Sequence, residues 1–265
     1  MAPTNTNQFQ THVWAYYHDH GRDLPWRREP LEAYPILVSE IMLQQTQVAR
    51  VIPKYEAFLG SFPTIASLAA APLAAVLKSW NGLGYNRRAK YLHEAAKTLA
   101  PKSRWQLANL TACKGIGYNT AAAVCTYVYN EAHPFIETNI RTVFIHHFFH
   151  DHMAVTDSEL LPLVQASLDK ANPREWYWAL MDYGAYLKAS VGNLSLVSKH
   201  YAKQSTFSGS NRQLRGQVLR LLAGSKHSEM KLQTILPDQR LQVVLDTLQK
   251  EGLITRQGRY YLLPS

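Results

Sequence analysis

Apolar residues recur three and four places apart along most of this chain before residue 200, the spacing that lines one face of an α-helix. The stretch "PILVSEIMLQQTQVARVIPKYEAFL" sets Pro35 where a first helical turn tolerates proline, and Pro53 predicts a kink or break further along. "RRAKYLHEAAKTLA", "NTAAAVCTYVYN" and "NIRTVFIHHFF" keep the same period. No alternation of apolar and polar residues reads as a strand before residue 250. The tail differs. "RQLRGQVLRLLA", "EMKLQTIL" and "PDQRLQVVLDTLQKEG" predict three helices, and "LITRQGRYYLL" a two-stranded ribbon around a Gln-Gly turn. That order is the order of a winged helix, a module that contacts duplex DNA in some proteins and only other proteins in others.

Charge separates the same two regions. The chain of 265 residues carries a net +9. Residues 199–265 hold 11 Lys/Arg against 4 Asp/Glu, a net of +7, which leaves the body near neutral. A basic balance favours a polyanionic partner. The Ser-, Gly- and Asn-rich stretch "STFSGSNRQ" marks a linker. These features predict a body over residues 1–204, a linker over 205–212 and a basic winged-helix-like module over 213–265. No apolar run is long enough to span a membrane, the start shows no leader pattern, and Cys113 and Cys125 make no metal or disulfide spacing. A cytoplasmic, nucleoid-associated protein is expected, with no membrane partner. The four histidines of "HHFFHDH" include a pair at i, i+4, a spacing that zinc uses, but no further ligand cluster stands near them except Asp151, so no metal is expected.

In "CKGIGYNTAA" two glycines flank Ile116 just before a helix start. Glycine permits positive φ and close backbone approach, and free amides at a helix start suit a phosphate. Taken alone, the same turn could serve only to pack two helices. Its surroundings decide the reading. "LPWR" (24–27), "SEIMLQQTQVARVIPKY" (39–55), "WNGLGYNRRAKYLHEAA" (80–96), "GIGYNTAAAV" (115–124), "ETNIRTV" (137–143) and "MDYGA" (181–185) occur in the order found in one family. The chain resembles the adenine DNA glycosylases of the MutY type. That resemblance implies an all-α, two-lobed helix-hairpin-helix glycosylase fold, with a six-helix lobe over about residues 30–135 and a second lobe from 1–29 and 136–204. It implies double-stranded DNA with a mismatch or lesion as partner, and a monomer.

The resemblance also assigns roles. A base must leave the stack before its glycosidic bond can be reached. Glu40, on an apolar helix beside Ile41, Met42 and Leu43, matches the general acid that protonates the leaving base, and burial there should raise its pKa. Glu137 stands where the family has Asp, the carboxylate that stabilises the cationic sugar. The extra methylene moves the charge by about 1.5 Å if the backbone stays put. Asn139 matches a residue that orients the catalytic groups. Asn119 replaces the lysine of bifunctional relatives and cannot form a Schiff base, so a dedicated lyase activity is not expected. Gly115 and Gly117 match the hairpin that grips a DNA phosphate, with Arg27 and Tyr118 also on the DNA side. Gln45 and Thr46 match contacts to the opposite base, and Leu83 and Tyr85 a wedge and an intercalating ring.

Two family features are missing. The positions of the four cluster cysteines hold Lys188, Ser195, Ser198 and Gln204, so no iron–sulfur cluster and no other cofactor is expected. The NUDIX-like domain that reads 8-oxoguanine is replaced by the basic tail. The expected activity is hydrolysis of the glycosidic bond of adenine mispaired with 8-oxoguanine or guanine. A glycosylase for T:G or U:G mismatches or damaged bases, and a catalytically weak DNA-binding protein, are the alternatives.

Overall fold

A computed structural model describes residues 5–149, 154–192, 194–199 and 206–265. The chain opens with α1 (Thr6–His20), started by the Asn5 side chain accepting from the Asn7 amide, and passes through a short 3₁₀ turn at Pro25–Arg27. There follow α2 (Ala33–Leu43), α3 (Val48–Ser61), α4 (Ile65–Ala70), α5 (Leu73–Ser79), α6 (Arg87–Leu99) and α7 (Leu107–Thr111). Then come α8 (Tyr118–Tyr129), α9 (Thr138–Phe148), α10 (Asp157–Ser167) and α11 (Pro173–Ser190). The tail is α12 (Asn211–Gly224), β1 (His227–Ser228), α13 (Glu229–Ile235), α14 (Leu241–Lys250), β2 (Thr255–Gln257) and β3 (Tyr260–Leu262). Both of its strand pairings are antiparallel, in the order β1-β3-β2, which completes a winged-helix arrangement. The two-residue β1 is too short to leave a pattern in the sequence.

The break in the long apolar stretch is not at Pro53. That residue lies inside α3, and the chain stops being helical after Leu43, with Gln45 at φ 56°. Helix α2 ends here because a side chain takes its last carbonyls, as described below.

The chain divides into two compact units. One comprises Met1–Ile36 and Gly117–Lys203, the other Leu37–Ile116 and Gln204–Ser265. These bounds differ from those expected. Helix α8 and the segment after it leave the six-helix lobe, and the tail is not a free module behind a linker. In the second unit Lys90 Nζ donates to the Glu251 carbonyl at 2.7 Å, the Ala74 amide donates to the Pro264 carbonyl at 3.1 Å, and Arg215 pairs with Glu251. Residues 211 and 212, expected in the linker, form the first turn of α12, which Ser210 caps.

The core of the first unit centres on Phe9, whose ring meets Phe144 at 5.1 Å, Phe148 at 5.2 Å and Trp176 at 6.0 Å. Helices α9 and α11 touch backbone to backbone. A Cβ on Gly184 would stand 2.3 Å from the Asn139 carbonyl oxygen, so only glycine fits in "MDYGA". This contact fixes the start of α9, where Glu137 lies.

Candidate functional site

In the first unit, Glu137 is the N-cap residue of α9 and is only partly exposed. The segment before it is held at three points. Asn119 Nδ2 donates to the Ile136 carbonyl at 2.9 Å. The Phe135 amide donates to the Tyr177 hydroxyl at 3.1 Å, and that hydroxyl donates to the His133 carbonyl at 3.0 Å. The Phe135 ring stacks on Tyr177 at 3.9 Å. Burial pushes the Glu137 carboxyl above the ordinary glutamate range, while Arg141 and the Thr138 amide pull the other way. Asn139 Nδ2 donates to the Met181 carbonyl at 3.3 Å, so its amide ties α9 to α11. Asn119 is likewise spent on backbone, at the base of the segment that carries Glu137.

Arg27, expected on DNA, is occupied elsewhere. Its side chain is 8% exposed, and both terminal nitrogens donate to the Asp182 carboxylate at 2.8 Å. Arg22 donates to the same buried carboxylate. The "LPWR" arginine therefore closes a buried ion network. A charge so enclosed by its partner does not reach a phosphate.

In the second unit, Glu40 lies in the last turns of α2, partly exposed between the buried Ser39 and Ile41. Two loops of this unit are joined by Arg88, which the motif reading passed over. Its NH1 donates to the carbonyls of Ile41, Met42 and Gln44 at 2.9, 2.9 and 2.6 Å. Its NH2 donates to Thr46 Oγ1 at 3.1 Å and to the carbonyls of Leu83 and Gly84 at 3.2 Å. One guanidinium thus caps α2 and binds the loop carrying Gln45 and Thr46 to the loop carrying Leu83 and Tyr85. Burial pushes Arg88 down to about 10, which leaves it charged at neutral pH. The signal for it was in the sequence. Arg88 occupies the same face of α6 as Leu92, Ala95 and Leu99, where a charge has no place unless it is paired.

Leu83 does not project as a wedge. It is 3% exposed and packs inside its loop. Tyr85 is held at φ 46°, a backbone conformation that a bulky residue rarely takes. Gln45 is exposed, while Thr46 is partly covered by its bond to Arg88.

The two hairpin glycines differ. Gly115 has φ 85°, and a Cβ there would stand 2.5 Å from the Tyr91 ring, so the protein's own packing demands glycine. A Cβ on Gly117 would meet nothing within 4 Å. Gly117 caps the start of α8 and, like Tyr118 beside it, is exposed. Its bare backbone faces open space.

The cluster positions hold no sulfur donors. Lys188 is exposed on α11. Ser198 is buried and bridges Val155, with Val155 donating to the Val197 carbonyl and Lys199 to the Val155 carbonyl, each at 3.0 Å. The Ser195 side chain and Gln204 lie outside the described residues, as do His150, Asp151 and His152. Hydroxyl, amine and amide groups do not fit an iron–sulfur cluster. His147, from the histidine-rich stretch, contacts the Tyr183 hydroxyl at 3.1 Å. No helix among the described residues is long and apolar enough to cross a membrane.

The helical body, with its glycine turn leading into α8, has the helix-hairpin-helix architecture that the sequence motifs implied. Residues 38–162 match the family described as HhH-GPD superfamily base excision DNA repair protein. The chain belongs to the adenine DNA glycosylases of that superfamily. It is 35% identical to the adenine DNA glycosylase of Mycolicibacterium smegmatis over 93% of each chain. It is 30% identical to that of Mycobacterium tuberculosis over 95% of this chain and 92% of the other. The fold is also that of a thermostable thymine-DNA glycosylase (TM-score 0.60, 21% identity, 74% of this chain and 96% of the other). It matches an endonuclease III bound to DNA (TM-score 0.59, 15% identity, 74% and 96%).

Proposed function

We propose that this chain is a monofunctional DNA glycosylase that removes adenine mispaired with 8-oxoguanine or guanine, working without an iron–sulfur cluster. The observation that carries it is the retention of both carboxylates, Glu40 at the end of α2 and Glu137 at the cap of α9, in a chain of this family. The exposed backbone at Gly117 and the α8 amides that follow hold a DNA phosphate. The adenine leaves the stack, and the protonated Glu40 donates to a ring nitrogen as the bond from C1′ to the base breaks. The electron pair of that bond leaves with the base. Glu137, ionised, stabilises the cationic sugar. Water then adds to C1′ and gives up a proton to the Glu40 carboxylate, which restores the acid. The products are adenine and an abasic site. Asn119 supplies no amine, so the strand is not cut through a Schiff base.

Duplexes carrying A opposite 8-oxoguanine, A:G, T:G and U:G, incubated with excess protein and then treated with alkali, test the reading. Base loss is expected from the two adenine duplexes only. Loss of thymine or uracil with adenine untouched would move the chain to mismatch repair of pyrimidines, and no loss from any duplex would leave a binding protein.

A further inference from the structure

Among the tail residues that border the cavity beside Gln44, Gln45 and Tyr85, Arg212 bonds Tyr85 directly. Arg212, in the first turn of α12, donates from NH1 to the Tyr85 hydroxyl, and its guanidinium carbon lies 5.2 Å from the centre of the Tyr85 ring. Arg88 stands 5.4 Å from the same ring. Tyr85 is therefore flanked by two guanidinium groups, one from the lobe and one from the tail, while its backbone sits at φ 46°. A strained aromatic residue keeps one position only if its surroundings over-determine it. Arg88 fixes the loop carbonyls beside Tyr85, and Arg212 fixes the ring's outer end. Tyr85, Gln44, Gln45 and Arg212 border one cavity of about 580 Å³ within the second unit.

We infer that Arg212 is a positioning residue for recognition of the base opposite the adenine, and that the tail's place in this chain is to complete that reading site rather than to bind DNA as a separate module. The inference rests on the proposed function, since Gln45 and Tyr85 read the opposite strand only if it holds. Its physical content is narrow. A ring whose hydroxyl is bonded and which two guanidinium groups flank presents one shape to the incoming base, and a fixed shape discriminates where a mobile one adapts. A cation that only met a phosphate would add affinity without regard to sequence.

The test measures dissociation constants of the full chain at several salt concentrations. The duplexes carry 2′-fluoro-2′-deoxyadenosine, which resists cleavage, opposite 8-oxoguanine, guanine or cytosine. The spread of Kd between the guanine-type bases and cytosine is expected to shrink about tenfold in Arg212→Ala, the scale of a charge-assisted contact beside an aromatic ring. The slope of log Kd against log salt stays as in the wild type. Arg212→Lys keeps the charge without the rigid guanidinium fork that reaches the Tyr85 hydroxyl beside the ring and behaves like Arg212→Ala. Tyr85→Phe, which keeps the ring and loses the bond, takes part of the same loss, and the double variant is no worse than Arg212→Ala. Thermal unfolding of each variant separates these effects from a tail that fails to fold. Uniform weakening across all opposite bases with a slope reduced by about one counterion, rescue by Arg212→Lys, or additive losses would overturn the inference. So would a wild type whose Kd ignores the opposite base. A wild type that discriminates but excises no adenine defeats the proposed function alone, because the binding measurement needs no chemistry.

Discussion

Glu137 carries its charge where burial disfavours it, and the consequences for stability and for rate run in opposite directions. Its folded pKa lies above the unfolded value, so the native state binds this proton more tightly than the unfolded chain does. Below the ordinary glutamate range both states are protonated and nothing is lost. As pH rises through the raised pKa, the native state must hold a desolvated carboxylate and loses stability. Glu137→Gln is therefore expected to melt higher than the wild type at neutral pH, with the gap closing as pH falls toward 4; melting curves across that range check it. The same variant should be nearly inert, because the ionised form is the one that stabilises the sugar cation. Wild-type single-turnover rates should fall on acidification at a pH above the usual carboxylate range. Glu137→Asp restores the family's residue type but not its reach. The backbone before it is pinned by Asn119 and Tyr177, and a misplacement of about 1 Å costs on the order of a hundredfold. That variant should be slower than the wild type; a faster one would mean that this segment was never adjusted to glutamate. The hairpin glycines give a second pair. Gly115→Ala meets both a positive φ and the Tyr91 ring and should cost about 2–4 kcal/mol of stability. Gly117→Ala, with open space at its Cβ, should stay within about 1 kcal/mol yet raise the Kd for duplex DNA about tenfold. Chemical denaturation and filter binding separate the two, and equal effects on both measurements would sink the distinction.

At the scale of elements, Arg88 decides where α2 stops and how two loops meet. Arg88→Met keeps the apolar length of the side chain and removes every donor. Six oxygen acceptors then lose this donor; the Gly84 carbonyl keeps Trp80 Nε1 and the Gln44 carbonyl keeps Thr46 Oγ1, while buried groups left unsatisfied cost about 1–3 kcal/mol each before relaxation. A net loss on the order of 4 kcal/mol is expected in urea unfolding. Loosening of the Gln45 and Tyr85 loops should also lower kcat more than it raises KM for a bound duplex. A change confined to KM would show that the loops are held without it. The same residue marks the limit of what the sequence made legible. Periodicity found α6, α8 and α9 because each buries a continuous apolar face, and the winged helix was readable because helices and ribbon differ in period. The end of α2 was not readable, since Pro53 is the local breaker while the cause that acts is a guanidinium more than forty residues away in the chain. Motif matching pointed to Glu40, Glu137, Arg27 and Leu83 alike, and the last two are buried in the protein's own contacts. A motif records which residue recurs, and only the fold shows whether its donors or its apolar face are already spent.

Over the whole molecule, the tail's charge and its packing make opposite demands. A net +7 beside a near-neutral body suggested a basic module on a linker. The structure builds residues 206–265 into one compact unit with Leu37–Ile116, through Lys90 on the Glu251 carbonyl, Ala74 on the Pro264 carbonyl and Arg212 on Tyr85. A tethered module could be removed without loss to the body's stability, and only the salt dependence of DNA binding would change. An integrated one cannot. Its removal exposes the face of α5 on which α12 packs and leaves Lys90 without its carbonyl partner. Deleting residues 206–265 is therefore expected to flatten the salt dependence of duplex binding and also to lower the melting temperature of what remains by several degrees. A loss of about 1–2 kcal/mol at Tm moves a domain of this size by that amount. In the intact chain the tail should not melt ahead of the lobe, so differential scanning calorimetry should show no early transition that disappears on deletion. An unshifted melting temperature in the truncated chain, with the low-temperature transition of the full chain gone, would mean that the tail is a passenger and that Arg212 touches Tyr85 without holding it.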